Sequence, residues 1–458
     1  MKIRRLSILS FILVLFELNI ATLAQIEEWM VRDTSNSILP SNYVTSIVED
    51  LNGDIWIGTY GGLVSITENG WCLFNKNNSN YPSNLINTLS VDSNNVLWIG
   101  FEDAGVIKYK NGILEHYTAQ NSYLPSNWVH QIVVDRINRK WIATELGRGM
   151  GGVLVVDDTT LVSYTIENSE LPSGTVKSIN VDDSLNAWIG MEYMLVDPGP
   201  IYGGLAKFDG TTWITYNYDT PGFSQGWTFN CIEVENDTIW VGTDRGLSKF
   251  DGNVWSTFLE ENSGLPNNYV NALFAEPNGT KWLGVGRATH ERKGALVKYS
   301  NESFTKFDTT NSPILPGYVA SIFVDSQQNK WIAIHPYWDQ STTTSYGGGL
   351  AIYNENGVVV NVDEKYEEAI SKEFILSNNY PNPFNPTTII NYSIPESGFT
   401  ILKVFNILGS EVATLVYENK LAGKYKVKFD ASNLSSGVYI YTLSQNNKKV
   451  SKKMLLLK

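Results

Sequence analysis

Four histidines, His116, His130, His290 and His335, are the residues best suited to proton transfer near neutral pH in this chain. His116 and His130 fall in strand-like stretches, which points to structural roles. His290 and His335 fall in two long insertions, where Arg287, Glu291 and Asp339 could share a site with them. No HExxH, CxxC, GxSxG or phosphate-binding glycine loop is present, and nothing places a nucleophile beside a base. No catalytic residue, metal or cofactor is therefore implied. The aromatic and basic side chains of the loops offer a different chemistry. Tyr60, Arg148, Tyr193, Tyr202, Arg245, Arg287, Tyr337, Trp338 and Tyr346, together with His290 and His335, form a candidate ligand-binding set. Aromatic faces stack on sugar rings, and guanidinium groups bind hydroxyls and carboxylates. The same residue types also serve protein interfaces, or simply pack the insertions themselves.

Another candidate, Asp50-Leu51-Asn52-Gly53-Asp54, alternates acids as calcium loops do. Such a loop needs Gly at its sixth position and Glu at its twelfth, where Ile55 and Gly61 stand. The stretch also recurs with its ligands eroded. An acid lies six residues before a Trp in six copies, and the fifth copy has Val234 there. That acid is expected to accept backbone N–H bonds in the turn, and the Trp to pack between units.

The positioning elements follow from this recurrence. Trp56, Trp98, Trp141, Trp188, Trp240, Trp282 and Trp331 are spaced by 42, 43, 47, 52, 42 and 49 residues. In five copies a Pro-centred turn such as Leu39-Pro40-Ser41-Asn42 precedes the Trp by 16 residues; the fifth copy has "GFSQG" instead. Each unit holds four short stretches with period-two alternation. In the first these are "YVTSIVED", "DIWIGTY", "GGLVSI" and "GWCLFN", here strands a to d. A period of this length with four strands predicts an all-β fold, a seven-bladed β-propeller. Strand parity puts the b–c and d–a loops on one rim. The longest insertions all fall in b–c loops, so that rim is the expected binding face. Either "EEWMVRD" near Trp29 or Gly357–Val362 could close the ring.

Composition agrees with an exported protein. The net charge is −13, which argues against nucleic acid as a partner. Lys2, Arg4 and Arg5, the apolar "LSILSFILVLF" and "ATLAQ" read as a signal peptide over residues 1–24. No later stretch is long and apolar enough for a transmembrane segment. Cys72 and Cys231 are expected to be free thiols. Residues 374–458 carry +6 and the remainder −19, the mark of two modules: a propeller over 25–362 and, after a linker at 363–373, a small Ig-like β-sandwich.

The Leu-Pro-Ser-Asn turn, Trp-Ile-Gly-Thr strand and Gly-Gly-Leu strand resemble the two-component regulator propeller repeat. That resemblance implies a propeller fold and carries over no binding residues. The tail resembles the type A sorting domain of the type IX secretion system. Its marks are Asn382-Pro383-Phe384-Asn385-Pro386, the Asn406 to Gly409 turn and Leu434 to Gly437 with Val438-Tyr439. The resemblance implies the secretion machinery as partner and export across the outer membrane, ending secreted or on the outer cell surface. The expected function is a binding protein for an extracellular glycan or protein. A lyase or hydrolase working at the same loops, and a structural or adhesive protein, are the alternatives.

Overall fold

The computed structural model describes residues 27–360 and 374–458, apart from 69, 80, 111–112, 148–149, 158–159, 197–198, 202, 218, 225, 288–293, 340–343, 397 and 421–422. The expected signal peptide and linker lie outside the described residues.

The opening repeat folds as an antiparallel meander, Val44–Glu49, Ile55–Thr59, Gly62–Thr67 and Gly70–Phe74, close to the four stretches expected from alternation. Strand b is buried along its whole length, so Trp56 and Ile57 are both inside. It is an inner strand, packed on both faces by neighbouring sheets, and so lacks a solvent side. Among the described residues, seven four-stranded sheets of this kind lie between Trp29 and Tyr353. Their a strands are Val44–Glu49, Ile86–Val91, Trp128–Val134, Val176–Val181, Phe229–Glu235, Val270–Ala275 and Tyr318–Val324. Each a strand packs against the next, and the first packs against the last, which makes a β-propeller.

Closure is made by the N-terminal segment. Trp29–Arg32 pairs with Gly349–Tyr353, in register Trp29↔Tyr353 through Arg32↔Leu350, as the outermost strand of the last sheet. Trp29 lies 4.4 Å from the Tyr353 ring and 5.9 Å from Phe307. Residues 357–360 form no strand, although the Val358 N–H donates to the Glu27 carbonyl at 2.8 Å.

The repeated acid has two jobs. In the first sheet one Asp50 oxygen accepts the backbone N–H groups of Asn52 and Asp54 at 2.8 and 3.1 Å, as expected of a turn-forming acid. The other accepts the indole N–H of Trp56 at 3.2 Å. The same indole bond forms at Asp92–Trp98, Asp135–Trp141, Asp182–Trp188, Glu276–Trp282 and Asp325–Trp331. In the fifth copy Glu235, one residue later and one methylene longer, replaces it at 3.3 Å from Trp240. The residue before Trp in the following sheet covers several of these rings. Lys140 sits over Trp98, Lys281 over Trp240 and Lys330 over Trp282, at 5.2–5.5 Å. Cys72 and Cys231 are free, and burial raises both thiols to about 12.

Residues 374–458 form two antiparallel sheets around a shared core. One orders Ile375–Leu376, Thr387–Ile394 and Gly423–Asp430; the other orders Glu411–Lys420, Gly398–Asn406, Gly437–Gln445 and Lys448–Leu456. Phe384, Tyr392, Leu402, Phe429 and Tyr441 are among the buried residues between them.

Candidate functional site at the b–c rim

Backbone bonds place the b–c and d–a loops beside one another. The Tyr193 N–H donates to the Trp227 carbonyl at 2.7 Å, Gly246 to Asn268 at 2.6 Å and Gly348 to Pro316 at 2.8 Å. Asn42 Nδ2 reaches the Gly347 carbonyl at 3.2 Å.

A β-bulge recurs where each a strand begins, between Val44/Ser46, Ile86/Thr88, Val129/Gln131, Val176/Ser178, Phe229/Cys231, Val270/Ala272 and Val319/Ser321. A bulge leaves one residue out of the ladder and re-aims its side chain. These residues are Thr45, Asn87, His130, Lys177, Asn230, Asn271 and Ala320. Thr45, Asn87 and Asn230 donate to the next inner strand, at the carbonyls of Ile86, Val129 and Val270, so they stitch sheet to sheet.

His130 and Lys177 depart from that pattern. Glu145 Oε2 lies 2.6 Å from His130 Nε2 and accepts from Lys177 Nζ at 2.6 Å; Lys177 also reaches Glu192 Oε2 at 3.0 Å. Burial works against the Glu145 charge, but the bonds from His130 and Lys177 outweigh it and hold the carboxyl at about 2. Burial also lowers His130, against the pull of Glu145. Trp128 stacks on His130 with centroids 5.7 Å apart. His130 thus belongs to an ionic cluster on the inner rim, more than the plain strand role its alternation indicates.

The position four after each Trp lies at or just past the end of strand b on this rim. It holds Tyr60, Glu102, Glu145, Glu192, Asp244, Gly286 and His335, so four consecutive sheets carry an acid there. On the first and seventh sheets the position is aromatic. Tyr60 stacks on Tyr43 at 5.5 Å, and His335 lies 5.6 Å from Tyr43. Burial, then Glu102, raises the Tyr60 phenol. His335 is the last residue of strand Lys330–His335, not part of the insertion after it, which corrects the loop placement expected from sequence. Its Nδ1 lies 2.9 Å from the Tyr318 hydroxyl, and burial lowers it to about 4, partly offset by the Val44 backbone.

The other candidates distribute along the same rim. Tyr193 lies 5.7 Å from Trp227, and the Arg245 guanidinium sits 5.5 Å over the Trp227 ring. Arg287 sits 5.1 Å over Tyr269. Tyr337 and Tyr346 stack at 5.8 Å within a short hairpin, Tyr337–Asp339 with Thr344–Tyr346, that also carries Trp338. Arg148, Tyr202, His290 and Glu291 lie outside the described residues, so the expected meeting of His290 with His335 is not part of the described geometry. Among the described residues no three His, Cys, Asp or Glu side chains converge as a metal site. His116 Nε2 lies 2.6 Å from the Ala104 carbonyl, away from these groups.

In the tail, Phe384 is buried while its N–H and carbonyl bond Leu455 and Leu457, and Asn382 accepts from the Leu455 N–H at 2.9 Å. The Asn-Pro-Phe-Asn-Pro stretch therefore clamps the C-terminal strand. Residues 378–457 match the family model described as the secretion system C-terminal sorting domain. The chain carries a type IX secretion sorting tail. That tail directs export to the cell surface or outside. Residues 38–61 match the two component regulator propeller model, so the propeller repeat belongs to that type. No curated protein matches the chain. Among solved structures, 94% of the chain aligns with 57% of the extracellular domain of a proposed hybrid two component system from B. thetaiotaomicron, at 18% identity and a TM-score of 0.57. It aligns over 91% of its length with 60% of PorZ, a surface component of the type-IX secretion system of Porphyromonas gingivalis, at 13% identity and a TM-score of 0.50. It also aligns over 71% with 99% of virginiamycin B lyase from Staphylococcus aureus, at 14% identity and a TM-score of 0.50. The chain spans less than two thirds of the first two structures, and the likeness at these identities is one of fold. No helix among the described residues is long and apolar enough to cross a membrane.

Proposed function

We propose that the protein is an exported binding protein, with a closed seven-bladed propeller over residues 25–362 and a type A, Ig-like sorting sandwich over 374–458. It recognises an extracellular glycan or protein through the b–c loop face, and it meets the secretion machinery through its tail. One observation carries the choice of face. The exposed large aromatic side chains among the described residues of the propeller are Tyr123, Trp128, Trp227, Trp338 and Tyr346. All five stand in, or at the edge of, the b–c and d–a loops of one rim. Aromatic surface left in water on one side of a rigid scaffold costs solubility and is retained where something covers it. The inner rim adds hydrogen-bonding carboxylates at Glu102, Glu192 and Asp244. The experiment is a glycan and protein array probed with the purified protein and with a variant whose 337–346 hairpin is replaced by a two-residue turn. Binding by the parent that the trimmed variant loses supports the assignment. Undiminished binding by the trimmed variant sinks it.

A further inference from the structure

A cavity of about 740 Å3 opens on this rim between the fifth and sixth sheets, with Arg245, Arg287, Tyr269, Asp244, Glu261 and Asn268 among its walls. Its two guanidinium groups come from the b–c loops of neighbouring sheets. Each lies over an aromatic ring, Arg245 over Trp227 at 5.5 Å and Arg287 over Tyr269 at 5.1 Å. Among the described residues neither has a carboxylate within ion-pair distance. The acid next to Arg245 is engaged through one oxygen: Asp244 Oδ1 accepts the backbone N–H groups of Trp227 and Thr228 at 2.7 and 3.2 Å. A ring under a guanidinium fixes its plane and leaves its N–H edge free, so two oriented donors face the cavity with little further entropy to lose.

We infer that this cleft binds the carboxylate or sulfate group of an acidic saccharide, an inference that rests on the proposed loop-face binding. Planar bidentate recognition of an oxyanion is what a pre-oriented guanidinium does best. The volume falls in the range of small-ligand sites, on the order of 300–1,000 Å3, and suits one or two sugar units better than a folded partner. Glu261, an exposed carboxylate on the same wall, accepts hydroxyl hydrogen bonds and repels a second anion. That combination fits a hydroxyl-rich ring bearing one charge per unit and disfavours an acidic peptide.

The test titrates the purified full chain with four probes of matched length: a galacturonate tetrasaccharide, a sulfated galactan tetrasaccharide, a neutral galactan tetrasaccharide and tetraglutamate. Calorimetry gives affinity. The expected result is tighter binding of the uronate or the sulfated probe than of the neutral one, weakening with added salt. Arg245→Gln and Arg287→Gln should each weaken it about tenfold or more, at unchanged melting temperature. The uronate and sulfate arms separate the two oxyanion sources. Equal affinity for the neutral probe, equal affinity for tetraglutamate, or binding indifferent to both substitutions overturns the inference. If neutral binding is then lost on trimming the 337–346 hairpin, loop-face recognition stands without an anion site. Absence of binding by all three saccharides overturns the inference, and the array decides separately whether a protein ligand uses this face.

Discussion

Trp331 donates its indole N–H to Asp325 Oδ2 at 2.7 Å, and both side chains are buried. Asp325 Oδ1 meanwhile accepts the backbone N–H groups of Gln327 and Asn329, and Oδ2 also receives Asn329 Nδ2. One carboxylate thus ties the a–b turn to the largest side chain of strand b. Asp325→Ala leaves several buried donors unsatisfied and should cost about 3 kcal/mol of stability. Urea unfolding measures this. A loss below about 1 kcal/mol would show that the acid is not what fixes the Trp.

His335 makes stability depend on pH. Its folded-state pKa of about 4 lies below the ordinary value of 6.5, so between these limits the unfolded chain binds more protons. Its contribution to stability therefore rises with pH from about 4 to 6.5 and is lost as pH falls through that window, by up to about 3 kcal/mol. Glu233 has the opposite sign. Burial raises it to about 7, so its carboxylate subtracts stability as pH rises from 4.5 toward 7. Unfolding curves of the parent and His335→Gln at pH 4.5 and 7 separate the two. The variant should lose less stability on acidification; an unchanged difference between the two pH values would contradict the assignment.

The sorting tail predicts a location. Deleting residues 374–458 should leave the propeller folded, since its core clusters are built within residues 27–360, but retained in the periplasm. Cell fractionation with immunoblotting reads the outcome. Normal appearance of the truncated protein outside the cell would contradict the role of the tail.

Much of this architecture was legible because the repeat multiplies each weak signal. Trp56 and Asp50 mean little alone, yet their spacing in successive copies marks one turn and one strand. What stayed hidden has local physical causes. The bulge that re-aims His130 and Lys177 shifts the period-two pattern by one residue, setting Val129 three before Ile132 and Val176 three before Ile179, but that shift does not say what the displaced side chains meet. Glu235 substitutes for the missing acid one position late, which a fixed spacing hides. Trp29 and Gly357 were equal candidates for closure, because edge pairing depends on a partner some 320 residues away. The acid column at Glu102, Glu145, Glu192 and Asp244 was open to view, but only the ring turns four residues at the ends of separate strands into one arc.

The most direct test of loop-face recognition is a hydrogen–deuterium exchange footprint, taken with the tightest ligand that the array yields at saturating concentration. Protection should fall on the b–c and d–a segments around Tyr60, Trp128, Tyr193–Trp227, Arg245, Arg287 and 335–348. Protection confined to the a–b turns at Asp50, Asp92 and Asp135, or to the outer d strands, would contradict it.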